Sequence, residues 1–268
     1  MKIKNSLILL LMCCIFPAIP GSAQESDAKL AKAAQNPVAA MISLPFQNNT
    51  SFGFGPFDRT QNVLNIQPVI PFAGKKWNII FRTIAPLVSQ PDFTNPSGGT
   101  FGLGDINPTF FLSPAKPGKV TWGIGPTFLL PTASDEKLGT GKWAAGPSLV
   151  LLAMPGKWVV GVLASNVWSF AGKSGRNDVN QMVIQYFINY NMAKGWYLAS
   201  APLIIANWEA GKGNRWTVPF GIGIGRIFKM GKQPVNVSVH GYYNAVHPDT
   251  IYADWQLRTQ FQFLFPKK

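Results

Sequence analysis

Ser238 and His240 stand two residues apart, a spacing that brings a hydroxyl and an imidazole to one face of a strand, where they can act as nucleophile and base in ester hydrolysis. Parity works against that chemistry. In the pattern around them both side chains turn to an interior that a lipid ester does not reach, and the order is Ser then His. His240 and His247 cannot build the usual zinc site without carboxylates that the sequence does not place beside them. Gly221, Gly223 and Gly225 imitate part of a dinucleotide fingerprint, but they alternate with Ile222 and Ile224 at period two and no helix follows. The sequence therefore points to no catalytic residue, no metal ligand and no cofactor, and the chain is not read as an enzyme. What remains is a set of polar side chains whose use depends on the strand face they occupy: Arg82, Asn107, Gln185, Asn189, His240, Arg258 and Gln260.

Alternation sets those faces. In the closing stretch WQLRTQFQFLF, Trp255, Leu257, Thr259, Phe261, Phe263 and Phe265 share one side, and Gln256, Arg258, Gln260 and Gln262 the other; only Leu264 breaks the pattern. A sandwich would bury the aromatic side, whereas a membrane barrel turns it to lipid and the glutamines to a wet lumen. From residue 40 onward the chain divides into twelve such extended segments, near 40–53, 61–71, 77–88, 104–113, 120–131, 142–153, 158–170, 179–192, 196–208, 215–228, 234–245 and 254–265. Segments seven and nine alternate least cleanly. The fold class predicted is all-β: a closed, antiparallel, up-and-down transmembrane β-barrel of about twelve strands.

Residues 1–23 read as a secretory signal peptide, with Lys2 and Lys4, an apolar run from Leu7 to Ile19, and Gly21-Ser22-Ala23 before Gln24. Cys13 and Cys14 leave with it, so the mature chain has no thiol chemistry in an oxidising compartment. Residues 24–38 are the one helix-like piece, with Ser26 as a cap, Leu30, Ala33 and Ala34 on one side and Asn36-Pro37 as a stop. This segment is expected to be a short periplasmic tail, with a lumenal plug as the other option. Residues 39–268 form the barrel.

The connections alternate in length. Tight links at Gly74-Lys75-Lys76, Lys116-Pro117-Gly118-Lys119, Pro155-Gly156-Lys157, Ala193-Lys194-Gly195 and Met230-Gly231-Lys232 contrast with longer, more polar ones, which places the tight set in the periplasm and the long set outside. Trp77, Trp122, Trp143, Trp158, Trp168, Trp196, Trp208, Trp216 and Trp255 all lie near strand ends, as two aromatic girdles would require. Every acid after Asp27 lies on or beside a predicted external loop, and the tight turns carry Lys and no acid. The formal charge of +13 falls to +11 without Lys2 and Lys4. A secreted barrel meets no nucleic acid, so the expected partners are outer-membrane lipids at the turn lysines, the barrel assembly machinery at the C-terminal strand, and an unknown small solute.

Long strings resemble those of a Gram-negative outer-membrane family loosely labelled as transporters, some carrying the misleading name neuromedin U, and related to barrels of phenol-degradation pathways. They include Ile42-Ser43-Leu44-Pro45-Phe46-Gln47-Asn48-Asn49, Gly104-Asp105-Ile106-Asn107-Pro108, Gln185-Tyr186-Phe187-Ile188-Asn189-Tyr190-Asn191 and Asn214-Arg215-Trp216-Thr217-Val218-Pro219-Phe220-Gly221, and the resemblance covers nearly all of the mature chain. It implies a barrel in the outer membrane with a transport role. The expected function is a porin-like channel or transporter for a small solute, anionic or aromatic in class. The alternative is a structural, lumen-filled barrel for envelope integrity, and a barrel lipid hydrolase comes third.

Two finer expectations follow. Centring the last loop near Asp249 pairs Asn236 with Gln262, Ser238 with Gln260, His240 with Arg258 and Tyr242 with Gln256 on the inside, so polarity matches on both faces. Prolines 68, 86, 108, 126, 147, 202 and 219 fall inside predicted strands, and bulges or bends are expected at several of them because proline removes a ladder donor.

Overall fold

The computed structural model describes residues 30–249 and 251–266. The signal peptide, the Ser26 cap and the predicted mature N-terminus lie outside the described residues. Fifteen ladder segments make twelve passes: β1 (Ile42–Phe54), β2 (Arg59–Ile66 and Val69–Phe72), β3 (Trp77–Pro91), β4 (Gly99–Leu103 and Asn107–Pro114), β5 (Val120–Leu129), β6 (Lys142–Ala153), β7 (Trp158–Gly172), β8 (Asn180–Asn191), β9 (Trp196–Ser200 and Leu203–Asn207), β10 (Trp216–Met230), β11 (Gln233–Val246) and β12 (Trp255–Phe265). Each pairs antiparallel with its chain neighbours, and β12 closes the sheet on β1 from Trp255↔Phe52 to Phe265↔Ile42. Closure removes the unpaired edges that a strand cannot expose to lipid.

The strand faces divide as period two requires. On β12, Arg258, Gln262 and Leu264 are buried while Trp255, Leu257 and Phe265 are exposed; on β11, Asn236, Ser238, His240, Tyr242 and Asn244 are buried and Val237, Val239 and Tyr243 exposed. The β11–β12 register matches the expected pairs one for one, and Asn236 Nδ2 donates to Gln262 Oε1 at 3.0 Å. Glycines 221, 223 and 225 on β10 leave room inside: an added Cβ at Gly223 would strike the His240 ring and one at Gly225 the Tyr197 ring. They are wall positions over which large lumenal rings lie.

The proline expectation holds at some sites and fails at others. Pro68 and Pro202 sit where β2 and β9 lose their ladder, yet pairing resumes in register: Phe46↔Ile66 and Ser43↔Val69 on one side of the barrel, Ile188↔Ser200 and Gln185↔Leu203 on the other. At Pro219 the β10–β11 register shifts by one residue. Strands run through Pro86, Pro108, Pro126 and Pro147, and the last two face each other directly. A further bulge, not anticipated, lies in β4: Leu103 faces Leu87 but Asn107 faces Ile84, so Gly104–Ile106 contains one extra residue. The expected loop at 89–103 is also shorter, because the β3–β4 ladder continues to Pro91 and Gly99; its Pro- and Gly-rich composition masked a hairpin.

The N-terminal segment requires a correction. Residues 30–34 are helical, and residues 30–38 do not hang free as a tail; they lie inside the short-turn end of the barrel. Val38 packs with Ile80, Phe111, Val150, Leu152, Val159, Leu163 and Phe187, and Ala31 and Met41 pack with Tyr197, Ala199, Ile227 and Leu264. Gln35 and Asn191 exchange amide hydrogen bonds at 3.0 and 3.1 Å. Leu264, the residue out of character on β12, thus faces inward onto the plug. The weak alternation of β7 has the same cause, since Val159 and Leu163 face the segment while Trp158 and Val160 lie on the other face.

Candidate functional site

The inside of the barrel is layered. By the loop-length rule the short-turn end is periplasmic. There, apolar wall residues and the N-terminal segment form two hydrophobic clusters. Above them the wall turns polar and lines a cavity of about 180 Å³, bordered also by Ala33, Ala34, Gln35, Pro37, Ala39 and Met41. At the long-loop end, loop segments fold over one another.

Arg258 anchors the polar layer from β12. It is 3 % exposed; its Nε donates to Asn49 Oδ1 at 2.9 Å and its Nη1 to the Ala201 carbonyl at 2.7 Å, and the guanidinium lies 4.9 Å from the Tyr242 ring centroid. Ala201 precedes Pro202 in the break of β9, so its carbonyl lacks a ladder partner, and Gln185 Nε2 also donates to it at 3.3 Å. Arg258 and Gln185 therefore close a gap in the wall that the proline opens. Arg82, on β3, makes one side-chain hydrogen bond among the described residues, Nη2 to Gln67 Oε1 at 3.1 Å, beside the break at Pro68. Asn189, His240 and Gln260 complete the wall, with Gln260 Nε2 donating to Gln262 Oε1 at 3.3 Å. All six line the same cavity. Asn107 does not: it donates to Thr127 Oγ1 at 3.1 Å and to the Phe128 carbonyl, and so braces β4 against β5.

Sequence reading missed Gln47, Gln67, Tyr197 and the whole inner face of the N-terminal segment, all of which line the cavity. Gln47 and Gln67 could have been found from parity with Asn49 and Arg82. The segment left its trace only in the apolar residues at the inward end of several strands.

His240 Nε2 and Ser238 Oγ lie 3.1 Å apart, within reach of a nucleophile and base pair. The third member of such a unit is missing: Nδ1 packs against Gly223 and has no hydrogen-bond partner among the described residues, where an orienting carboxylate would be needed. Among the described residues no group of three metal-ligating side chains occurs.

The long-loop end is organised by the β4 bulge, which turns Asp105 inward. Its carboxylate accepts from the Ala133 amide at 3.2 Å, the Thr140 amide at 2.6 Å and the Thr140 hydroxyl at 2.7 Å, fixing both ends of loop 130–141. Arg176 binds the Glu136, Gly139 and Thr140 carbonyls, and Lys137–Asp92, Lys142–Asp178 and Lys173–Glu136 pair at 3.2, 3.0 and 2.6 Å. The Thr94 hydroxyl holds the Asp92 carboxyl well below the usual range, Lys173 lowers Glu136 and Lys142 lowers Asp178. The β3–β4, β5–β6 and β7–β8 loops are thus tied together.

The tryptophans fall near the two rims. Trp77 and Trp122 meet at 5.8 Å at the short-turn end, where Trp158 also contacts Tyr190 at 4.8 Å and Trp196 opens β9. Trp208 and Trp216 meet at 5.5 Å at the long-loop end, joined there by Trp143, Trp168 and Trp255. Between the rims the outer wall is aliphatic and aromatic, with Ile79, Phe110, Ile124, Leu151, Ile188 and Ile224 all exposed.

The closed topology is shared with solved outer-membrane proteins. The crystal structure of the COG4313 outer membrane channel from Pseudomonas putida F1 superposes with a TM-score of 0.66 at 16 % identity, covering 93 % of this chain and all of that one. The fold is that of an outer-membrane β-barrel. The CymD monoaromatic hydrocarbon channel (TM-score 0.46, 12 % identity, 90 % and 91 % covered) and outer membrane phospholipase A from Escherichia coli (0.42, 14 %, 84 % and 96 %) are more distant. No family model matches the sequence, and no curated protein does.

Proposed function

We propose that this barrel is an outer-membrane channel for a small solute of anionic or aromatic class, closed at its periplasmic mouth by its own N-terminal segment. The observation that carries the proposal is the kind of closure. Residues 30–38 dock inside the lumen through side-chain packing and a few hydrogen bonds, whereas the wall is a continuous ladder. A closure of that kind can be withdrawn without breaking the barrel. The similarity to the Pseudomonas putida outer membrane channel supports it, as does the resemblance to the transporter-like family. In this proposal the tryptophan rims are interfacial girdles, the turn lysines meet lipid headgroups, and the assembly machinery reads β12.

One observation favours the structural alternative: Arg258 is engaged with Asn49 and Ala201 and braces the wall. Planar-bilayer recording of the refolded chain separates the two. A channel gives discrete conductance steps with anion preference, and Arg82→Gln reduces that preference while the heat-modifiable band on gels stays intact. A silent bilayer containing verified folded barrel supports the filled, structural role instead.

A further inference from the structure

Among the described residues, the mid-lumen cavity holds positive charge with no acid to balance it. Arg82 and Arg258 both line it, and no Asp or Glu is among its lining residues. Among the described residues three acceptors, Gln67, Asn49 and the Ala201 carbonyl, serve the two guanidiniums, which leaves most of their N–H groups for another acceptor. Buried cations without a counter-charge are costly to keep.

The remainder of the cavity is of different chemistry. Val69, Leu163, Phe187 and Ala199 from the wall, with Ala33 and Ala34 from the plug, give it an apolar side. A phosphate placed at the guanidiniums would turn some of its oxygens toward that side without partners. A planar carboxylate matches the fork of an arginine, and a hydrocarbon body attached to it fits the apolar side. A single ring has room there: the cavity measures about 180 Å³, and an apolar cavity of about 150 Å³ in another protein holds benzene.

We propose that this cavity is a binding site for a small organic carboxylate with a single-ring or similarly compact apolar body, the carboxylate held by Arg82 and Arg258. The site deepens the channel function proposed above, and rests on it only for its purpose; binding itself requires no open pore.

Calorimetric titration of the refolded full-length chain in detergent tests it with benzoate, benzamide and inorganic phosphate as probes. Benzoate should saturate at one site per chain, with benzamide and phosphate each at least about tenfold weaker, because one lacks the charge and the other the apolar body. Arg258→Gln also removes the Ala201 contact and disturbs the wall, so Arg82→Gln is the deciding variant: it should retain heat-modifiability and bind benzoate at least about tenfold more weakly. Equal binding of benzoate and benzamide, phosphate as tight as benzoate, no saturable benzoate binding, or a folded Arg82→Gln that binds like the parent would each overturn the proposal. Because no membrane is involved, such a failure leaves the channel function standing, and a silent bilayer leaves the binding result standing.

Discussion

Deleting residues 30–38 should raise single-channel conductance about tenfold or more, because that segment is the material that fills the periplasmic mouth. Val38 is 4 % exposed and Ala31 2 % exposed, both within clusters supplied by inward-facing wall residues. Burying a valine side chain is worth about 1.5–3 kcal/mol, so Val38 alone accounts for a shift of roughly tenfold to a hundredfold in docking. Val38→Asp should therefore reproduce much of the deletion, since an unpaired carboxylate does not stay in a cluster of Ile80, Phe111 and Val150. The barrel should survive in both, because every ladder from β1 to β12 closes without residues 30–38. Unchanged conductance in a folded deletion chain would show that the segment does not control the path.

Phe261→Lys should nearly abolish the heat-modifiable, folded band. Phe261 lies on the outer face between Phe46 of β1 and Val237 of β11, and meets the Phe263 ring edge-on at 4.9 Å. A lysine there places a charge in the hydrocarbon, which costs about 2–4 kcal/mol at mid-depth, in the strand that closes the sheet. Leu264→Asp, three residues further along, should behave differently. Leu264 is fully buried on the inner face against Ala31, Met41 and Ile227, so its loss should loosen the plug and yield a leaky but folded barrel. If Phe261→Lys assembles normally, the outer face does not contact lipid.

These two variants also show what the sequence makes legible. The face of Phe261, its register against Val237, and the pairing of His240 with Arg258 follow from period two, because a slip of one residue would set polar against apolar along the whole strand. The plug does not follow. Its residues are short and mixed in character, and the side that receives it is scattered over many strands: Ile80, Phe111, Val150, Phe187, Ile227 and Leu264. Each looks like a local lapse in alternation until the fold gathers them at one mouth. The β4 bulge is hidden for a different reason, since Gly104-Asp105-Ile106 pairs with nothing near it in sequence and its purpose lies in loop 130–141. Asn107, expected in the cavity, follows that bulge and is drawn to Thr127 and Phe128.

A reversible lock tests the central claim most directly. A Cβ built at Gly123 would lie 3.0 Å from Val38 Cγ1, which sets the two Cβ atoms at most about 4.5 Å apart, within disulfide range. Cys13 and Cys14 are the only native cysteines and fall in the predicted leader, so the pair Val38→Cys with Gly123→Cys would have no competing thiol. Recorded in planar bilayers, the oxidised double variant should be nearly silent, and adding reductant to the periplasmic side should restore conductance to at least the parental level. Equal conductance of the oxidised and reduced forms, with the disulfide verified, would contradict a channel opened by withdrawal of its N-terminal segment.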